Sequence, residues 1–165
     1  MPLPGVKGVT DEAIFSSLNV CLIGWFILAL PPAYRPRQYE HIVVCLCAIF
    51  GALYSLTLAS AVATGEVPQG SGFDSLDGVA TLFSSKAVVL SGWTHYVCFD
   101  LLAGLFILKD NNNQQTSGGG LPHAVIALFV LPLTLFAGPT GLLVYLALKL
   151  IAGAGGAPPT AKKLR

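Results

Sequence analysis

Two residues of this sequence combine useful chemistry with an unusual setting. Asp100 lies near the middle of the otherwise uncharged apolar run Ala87 to Leu108, and His95 lies on the same run. The run is long enough to cross a bilayer. A carboxyl group within hydrocarbon is expensive, and such groups face the bundle interior, where they mark functional sites. A carboxylic acid in an apolar pocket can keep its proton at neutral pH and give it to a substrate. A histidine kept neutral by burial can act as a base. The pair offers acid–base chemistry inside a membrane.

Advancing 100° per residue around a helix puts Trp93, Tyr96, Val97, Asp100, Gly104 and Ile107 on one face. His95 falls on another face, with Phe99, Leu102 and Phe106. The two polar residues are about 7–8 Å apart along the axis, so they share a site only if the helix is surrounded on two sides. Gly104, one turn from Asp100, lets a neighbouring helix come close. His123 opens the following apolar run, at the membrane edge, and His41 sits beside Tyr39 and Glu40 as an interfacial anchor. Three separated histidines do not make a metal site, which needs three or four convergent ligands. Cys21, Cys45, Cys47 and Cys98 all lie in apolar runs without a C-x-x-C motif and read as small buried hydrophobes.

The elements that must position these groups are apolar helices. The chain is 54% hydrophobic and only 10% charged, with a mean hydropathy of +0.72. A soluble domain carries about 25% charged residues, so an integral membrane protein is the expectation. The near-zero net charge leaves no electrostatic footprint for nucleic acid. The first run, Ala13 to Leu30, starts after a cap at Asp11, contains Asn19 and stops at Pro31-Pro32. The second, Ile42 to Ala63, has Gly51, Ser55, Ala59 and Ala63 at i+4 spacing, a small-residue stripe for close helix packing. After a Gly- and Asp-rich loop, Phe73, Leu76, Val79 and Phe83 recur at helical spacing, which predicts a short interfacial helix. The third run is Ala87 to Leu108, followed by the linker NNNQQTSGGG. The fourth, Leu121 to Ala152, is interrupted by Pro132 and Pro139, which bend a helix where freed carbonyls can face protein or water.

The expected fold is therefore all-α: an integral membrane bundle of four transmembrane helices, with a short interfacial helix between the second and third. Residues 1–152 form one domain and 153–165 a flexible tail. Both termini fall on one side. Lys7, Lys86, Lys162, Lys163 and Arg165, with Lys149 near the boundary, outnumber Arg35, Arg37 and Lys109, which places the termini on the cytoplasmic-type side. The N-terminal residues show neither a secretory signal nor a transit peptide.

The stretch Gly72-Phe73, Ser75-Leu76, Leu82-Phe83-Ser84, then Gly92-Trp93-Thr94-His95-Tyr96 with Phe99-Asp100-Leu101 and Gly104, resembles the membrane proteins related to plant abscisic-acid-deficient protein 4. The resemblance continues through Pro122-His123 and Leu133-Thr134 to Gly138-Pro139-Thr140-Gly141-Leu142-Leu143 and Tyr145. It implies conversion of the xanthophyll violaxanthin to neoxanthin. An epoxide opens, an adjacent polyene carbon loses a proton, and an allene and a hydroxyl form. No net redox change occurs, so no cofactor or metal is required. An acid must protonate the epoxide oxygen and a base must take the carbon-bound proton. On this reading Asp100 is the acid and His95 the base, or the reverse, with His123 a second base or gate. Trp93, Tyr96, Gly104 and Thr134 contact the substrate. The expected partners are the bilayer, a carotenoid, and a further copy of the chain or a membrane-complex subunit. The expected location is a plastid membrane for an algal source and the inner membrane for a bacterial one. Two other classes compete: a non-catalytic pigment-binding subunit of a photosynthetic complex, with His95 or His123 as ligand, and a small proton-coupled transporter with Asp100 as relay.

Overall fold

The computed structural model describes Gly8, residues 10–116 and residues 118–154. Four helices are long and apolar enough to cross a membrane: α1 (Asp11–Ala29), α2 (Tyr39–Ala63), α4 (Lys86–Thr116) and α5 (His123–Gly153). Between the second and third lies the short helix α3 (Leu76–Leu82), and no strand occurs among the described residues. The all-α membrane bundle expected from the sequence is what forms. Helix continues to Ala154, and the rest of the expected tail, with Lys7, Lys162, Lys163 and Arg165, lies outside the described residues.

Local chemistry sets the helix ends. The cap of α1 is Thr10, one residue before the expected Asp11: its hydroxyl accepts from the Ala13 N–H at 3.1 Å, leaving Asp11 and Glu12 to complement the dipole in the first turn. At the other end, Arg35 donates to the carbonyls of Leu28 (3.4 Å) and Leu30 (2.7 Å), which Pro31-Pro32 leave without helical partners. In α3 the Ser75 hydroxyl accepts from the Gly78 N–H at 3.0 Å. Midway, α1 tightens into a 3-10 turn over Leu18–Val20.

Helix α4 is the hub. Against it α2 runs antiparallel: Glu40 pairs with Lys109 at 2.6 Å at one end, and the Ser91 hydroxyl donates to Thr57 at 3.0 Å towards the other. Between them the Cys47 and Cys98 thiols point at each other's carbonyls, at 3.8 and 3.3 Å. The seam of α2 is thus Val43, Cys47, Phe50, Thr57 and Ala61, all buried. The stripe expected to pack, Gly51, Ser55, Ala59 and Ala63, is not on that seam; no atom would lie within 4 Å of a Cβ at Gly51, and the other three are exposed. Larger buried side chains and a cross-helix hydroxyl pair supply the contact instead. Helix α1 runs parallel to α4, with Phe15 against Trp93 (6.3 Å between rings) and Gly24 against Leu101.

The fourth helix is long because it is folded back. Ala137 leaves helical geometry (φ −149°, ψ 47°), and Pro139 follows. Gly141 is pressed against the backbone of Thr134, seven residues earlier, whereas an unbroken helix separates such residues by about 10 Å. Before the break, the Leu121 N–H and C=O pair with the Asn111 amide (2.7 and 3.0 Å) at the end of α4. After it, Tyr145 and Lys149 return to Asp110 at that same end (2.5 and 2.6 Å). A wide turn over Ile126–Val130, in which the Leu131 N–H reaches back to Ile126, precedes Pro132. The hairpin corrects the expected sidedness. Lys149 lies with Arg35, Arg37 and Lys109, and only Lys86 among the described cationic residues lies at the other end.

Candidate functional site

The hairpin tip, α1 and α4 enclose a cavity of about 390 Å³. Its walls are apolar: Trp25 and Leu22 from α1, Trp93 and Val97 from α4, Leu135 and Phe136 from the arm before the tip. Three polar side chains interrupt them, Asn19, Tyr96 and Asp100. Trp93 and Tyr96 stack, with ring centroids 5.7 Å apart and an interplanar angle of 19°. The Tyr96 hydroxyl points at the Phe136 carbonyl at 3.5 Å, in the last turn before the break, and Asp100, one turn on, is its other polar neighbour.

Asp100 is 7% exposed, and its Oδ2 is buried without any hydrogen-bond partner. An unpartnered buried polar atom costs about 1–3 kcal/mol. The carboxyl group has room only because position 138 is glycine. A Cβ there would collide with Asp100 Oδ1. The tip of the hairpin and the acid are therefore fitted to each other near the middle of the bundle.

The other expected site residues are distributed as follows. Trp93 and Tyr96 line the cavity beside Asp100. Gly104 stands behind it: a Cβ there would meet Trp25 Cζ3 at 2.7 Å, so this glycine seats the tryptophan wall. Thr134 is fully buried inside the hairpin, its hydroxyl donating to the Val130 carbonyl at 2.8 Å. His95 faces outward on the other side of α4, between Tyr54 (5.3 Å between rings) and Phe99 (4.6 Å). It lines a different surface from Asp100, as the 100° arithmetic requires. His123 Nε2 lies 3.1 Å from the Ala29 carbonyl and ties the start of α5 to the end of α1. No group of three or more His, Cys, Asp or Glu side chains converges among the described residues.

The profile of the ABA DEFICIENT 4-like family matches residues 13–145, which takes in α1 from its third residue, the cavity and the hairpin as far as Tyr145. The chain belongs to that family. Among curated proteins and among solved structures, none matches it significantly. In this ABA DEFICIENT 4-like chain the two sequence blocks that carry the resemblance, Trp93 to Leu101 and Gly138 to Leu143, meet at one point, Asp100 against Gly138. Two participants had a signal in the sequence without a role attached. Asn19 is the strongly polar interior residue of the first run, and Gly138 is the residue ahead of the proline that breaks the fourth.

Proposed function

We propose that this membrane protein isomerises an epoxy-carotenoid to an allenic one, in the manner of a neoxanthin synthase. The observation that carries this reading is the buried Asp100 carboxyl, its Oδ2 without a partner, at the wall of an apolar cavity midway along the bundle. A xanthophyll is an apolar rod with oxygenated ends, and such a cavity suits one of those ends.

The balance needs one proton delivered and one removed. Asp100 in its neutral form protonates the epoxide oxygen as the ring carbon–oxygen bond opens. The resulting carboxylate then takes the proton from the adjacent polyene carbon, whose electron pair completes the allene. The acid is regenerated and no electrons are exchanged. Tyr96, the other hydroxyl-bearing residue of the cavity, steadies the opened oxygen. His95 and His123 lie away from this cavity, so the reading assigns both proton steps to one carboxyl group. Asp100→Asn keeps the shape and removes the proton. In membranes supplied with violaxanthin it abolishes product while the folded protein remains; undiminished turnover would overturn the reading.

One observation favours the pigment-holding alternative. His95 presents its ring outward between two aromatic side chains, a setting open to a planar pigment. Pigment retained at fixed stoichiometry and lost in His95→Phe, with no turnover of carotenoid by the wild type, would select it.

A further inference from the structure

The cavity contains a second polar group to which neither proton step gives a role. Asn19 sits on the 3-10 turn of α1, its side chain on the cavity wall opposite α4, and its amide forms no hydrogen bond among the described residues. Asn19 is exposed at the open side of the cavity, so its amide is free to bond a ligand that enters there. The parallel course of α1 and α4, fixed by Phe15 against Trp93 and Gly24 against Leu101, sets Asn19 about 5 Å from Asp100 along the bundle axis. Two polar groups, the exposed Asn19 amide and the buried Asp100 carboxyl, thus line one apolar cavity with an axial offset comparable to the distance between two oxygen substituents of a single six-membered ring.

The volume and the rim define the rest of the ligand. The cavity of about 390 Å³ suits a substituted ring and its first side-chain atoms, not a forty-carbon rod. Its outer rim is Phe15, Leu22 and Phe136, all exposed on a surface that faces lipid. A long apolar remainder leaves through that rim into the bilayer.

We infer that the cavity is an end-group site that admits one oxygenated ring of a long terpenoid and reads a ring hydroxyl through Asn19, while the rest of the molecule stays in the bilayer. This rests on the functional reading above for the identity of the second oxygen, the epoxide at Asp100. Asn19 is a specificity-determining residue and takes no part in proton transfer. A site built to bond a hydroxyl rejects an analogue lacking it far more strongly than an apolar pocket rejects an extra one.

Trp25 and Trp93 wall the cavity, so quenching of their fluorescence reports binding without requiring turnover. The probes are two epoxy-carotenoids, one with and one without the ring hydroxyl, titrated into the full chain in lipid nanodiscs. Wild type is expected to bind the hydroxylated compound about tenfold more tightly, as one hydrogen bond to the cavity-lining amide allows. Asn19→Leu abolishes that preference by weakening the hydroxylated compound alone. Unchanged affinity for the other compound shows that the variant is folded, and Asn19→Ser, which retains a hydrogen-bonding group, keeps part of the preference. Equal affinities in wild type, or a preference that survives Asn19→Leu, would overturn the inference. Turnover is measured in parallel: if wild type discriminates in binding but Asp100→Asn still isomerises, the catalytic reading fails and the end-group site stands.

Discussion

The Asp100 carboxyl occupies the space that a side chain at position 138 would need. Gly138→Ala therefore forces either the acid or the hairpin tip to move. Overpacking of this kind costs about 1–3 kcal/mol of stability. A displaced acid should also cost about tenfold or more in turnover, since proton transfer tolerates little misplacement. The coupling is specific. In an Asp100→Ala background the same Gly138→Ala change is expected to cost under about 0.5 kcal/mol, because the two positions no longer compete. Thermal unfolding of the four proteins in detergent measures it.

His95 and His123 separate from Asp100 in the same assay. His95→Phe alters only the outward aromatic group and leaves isomerisation at the wild-type rate. His123→Phe removes the contact to the Ala29 carbonyl and lowers stability by about 1 kcal/mol, with kcat for the folded fraction retained. Loss of turnover in His95→Phe, at wild-type folding, would return that residue to the mechanism.

The returning arm is held at its far end by Asp110, which accepts from Tyr145, Lys149 and Gln114 at 2.5, 2.6 and 2.9 Å. Asp110 and Lys149 are each partly exposed, so the ion pair itself contributes little, whereas the Tyr145 hydroxyl is carried by a fully buried side chain. Tyr145→Phe is expected to cost about 1–2 kcal/mol and Lys149→Gln less than about 1 kcal/mol. Equal losses from the two would mean that the pair is better shielded than its exposure indicates.

The fold-back can be read from sidedness. Cysteine introduced by Lys149→Cys should react with a membrane-impermeant thiol reagent from the same side as Arg37→Cys, and from the side opposite to Lys86→Cys. A straight fourth span would put positions 149 and 86 together. Native cysteines lie within the apolar spans and serve as the unlabelled background.

The helical content and the face of α4 were legible because they follow from periodicity. Hydrophobic runs give the spans, and 100° steps put Trp93, Tyr96 and Asp100 on one wall and His95 on another. The hairpin was not legible as such. Pro139 and its flanking glycines signal a break, but a proline kink and a reversal have the same local signature. What decides between them is tertiary: Asn111 holding Leu121 and Asp110 holding Tyr145, contacts between residues with no sequence periodicity. Length carried a clue as well, since the fourth run, Leu121 to Ala152, exceeds the about 20 residues a straight span needs, but excess length does not tell a bend from a reversal. The small-residue stripe of α2 misled for a related reason. Spacing identifies a stripe but not the neighbour it meets, and here the seam is filled by Phe50, Thr57 and the paired thiols. Asn19 was visible as a polar intruder, but its bearing on Asp100 depends on α1 running parallel to α4.

The reversal at Ala137 bears on how the chain is made. A straight fourth helix would oblige Lys149 to be carried through hydrocarbon during insertion. A hairpin that starts and finishes at one surface lowers only its uncharged apex into the bilayer and keeps its single cation at the surface of entry. That segment can be added last, as a wedge between helices already in place. Added in that order, the hairpin would bring the acid against its glycine only at the final step, and the cavity would close only then.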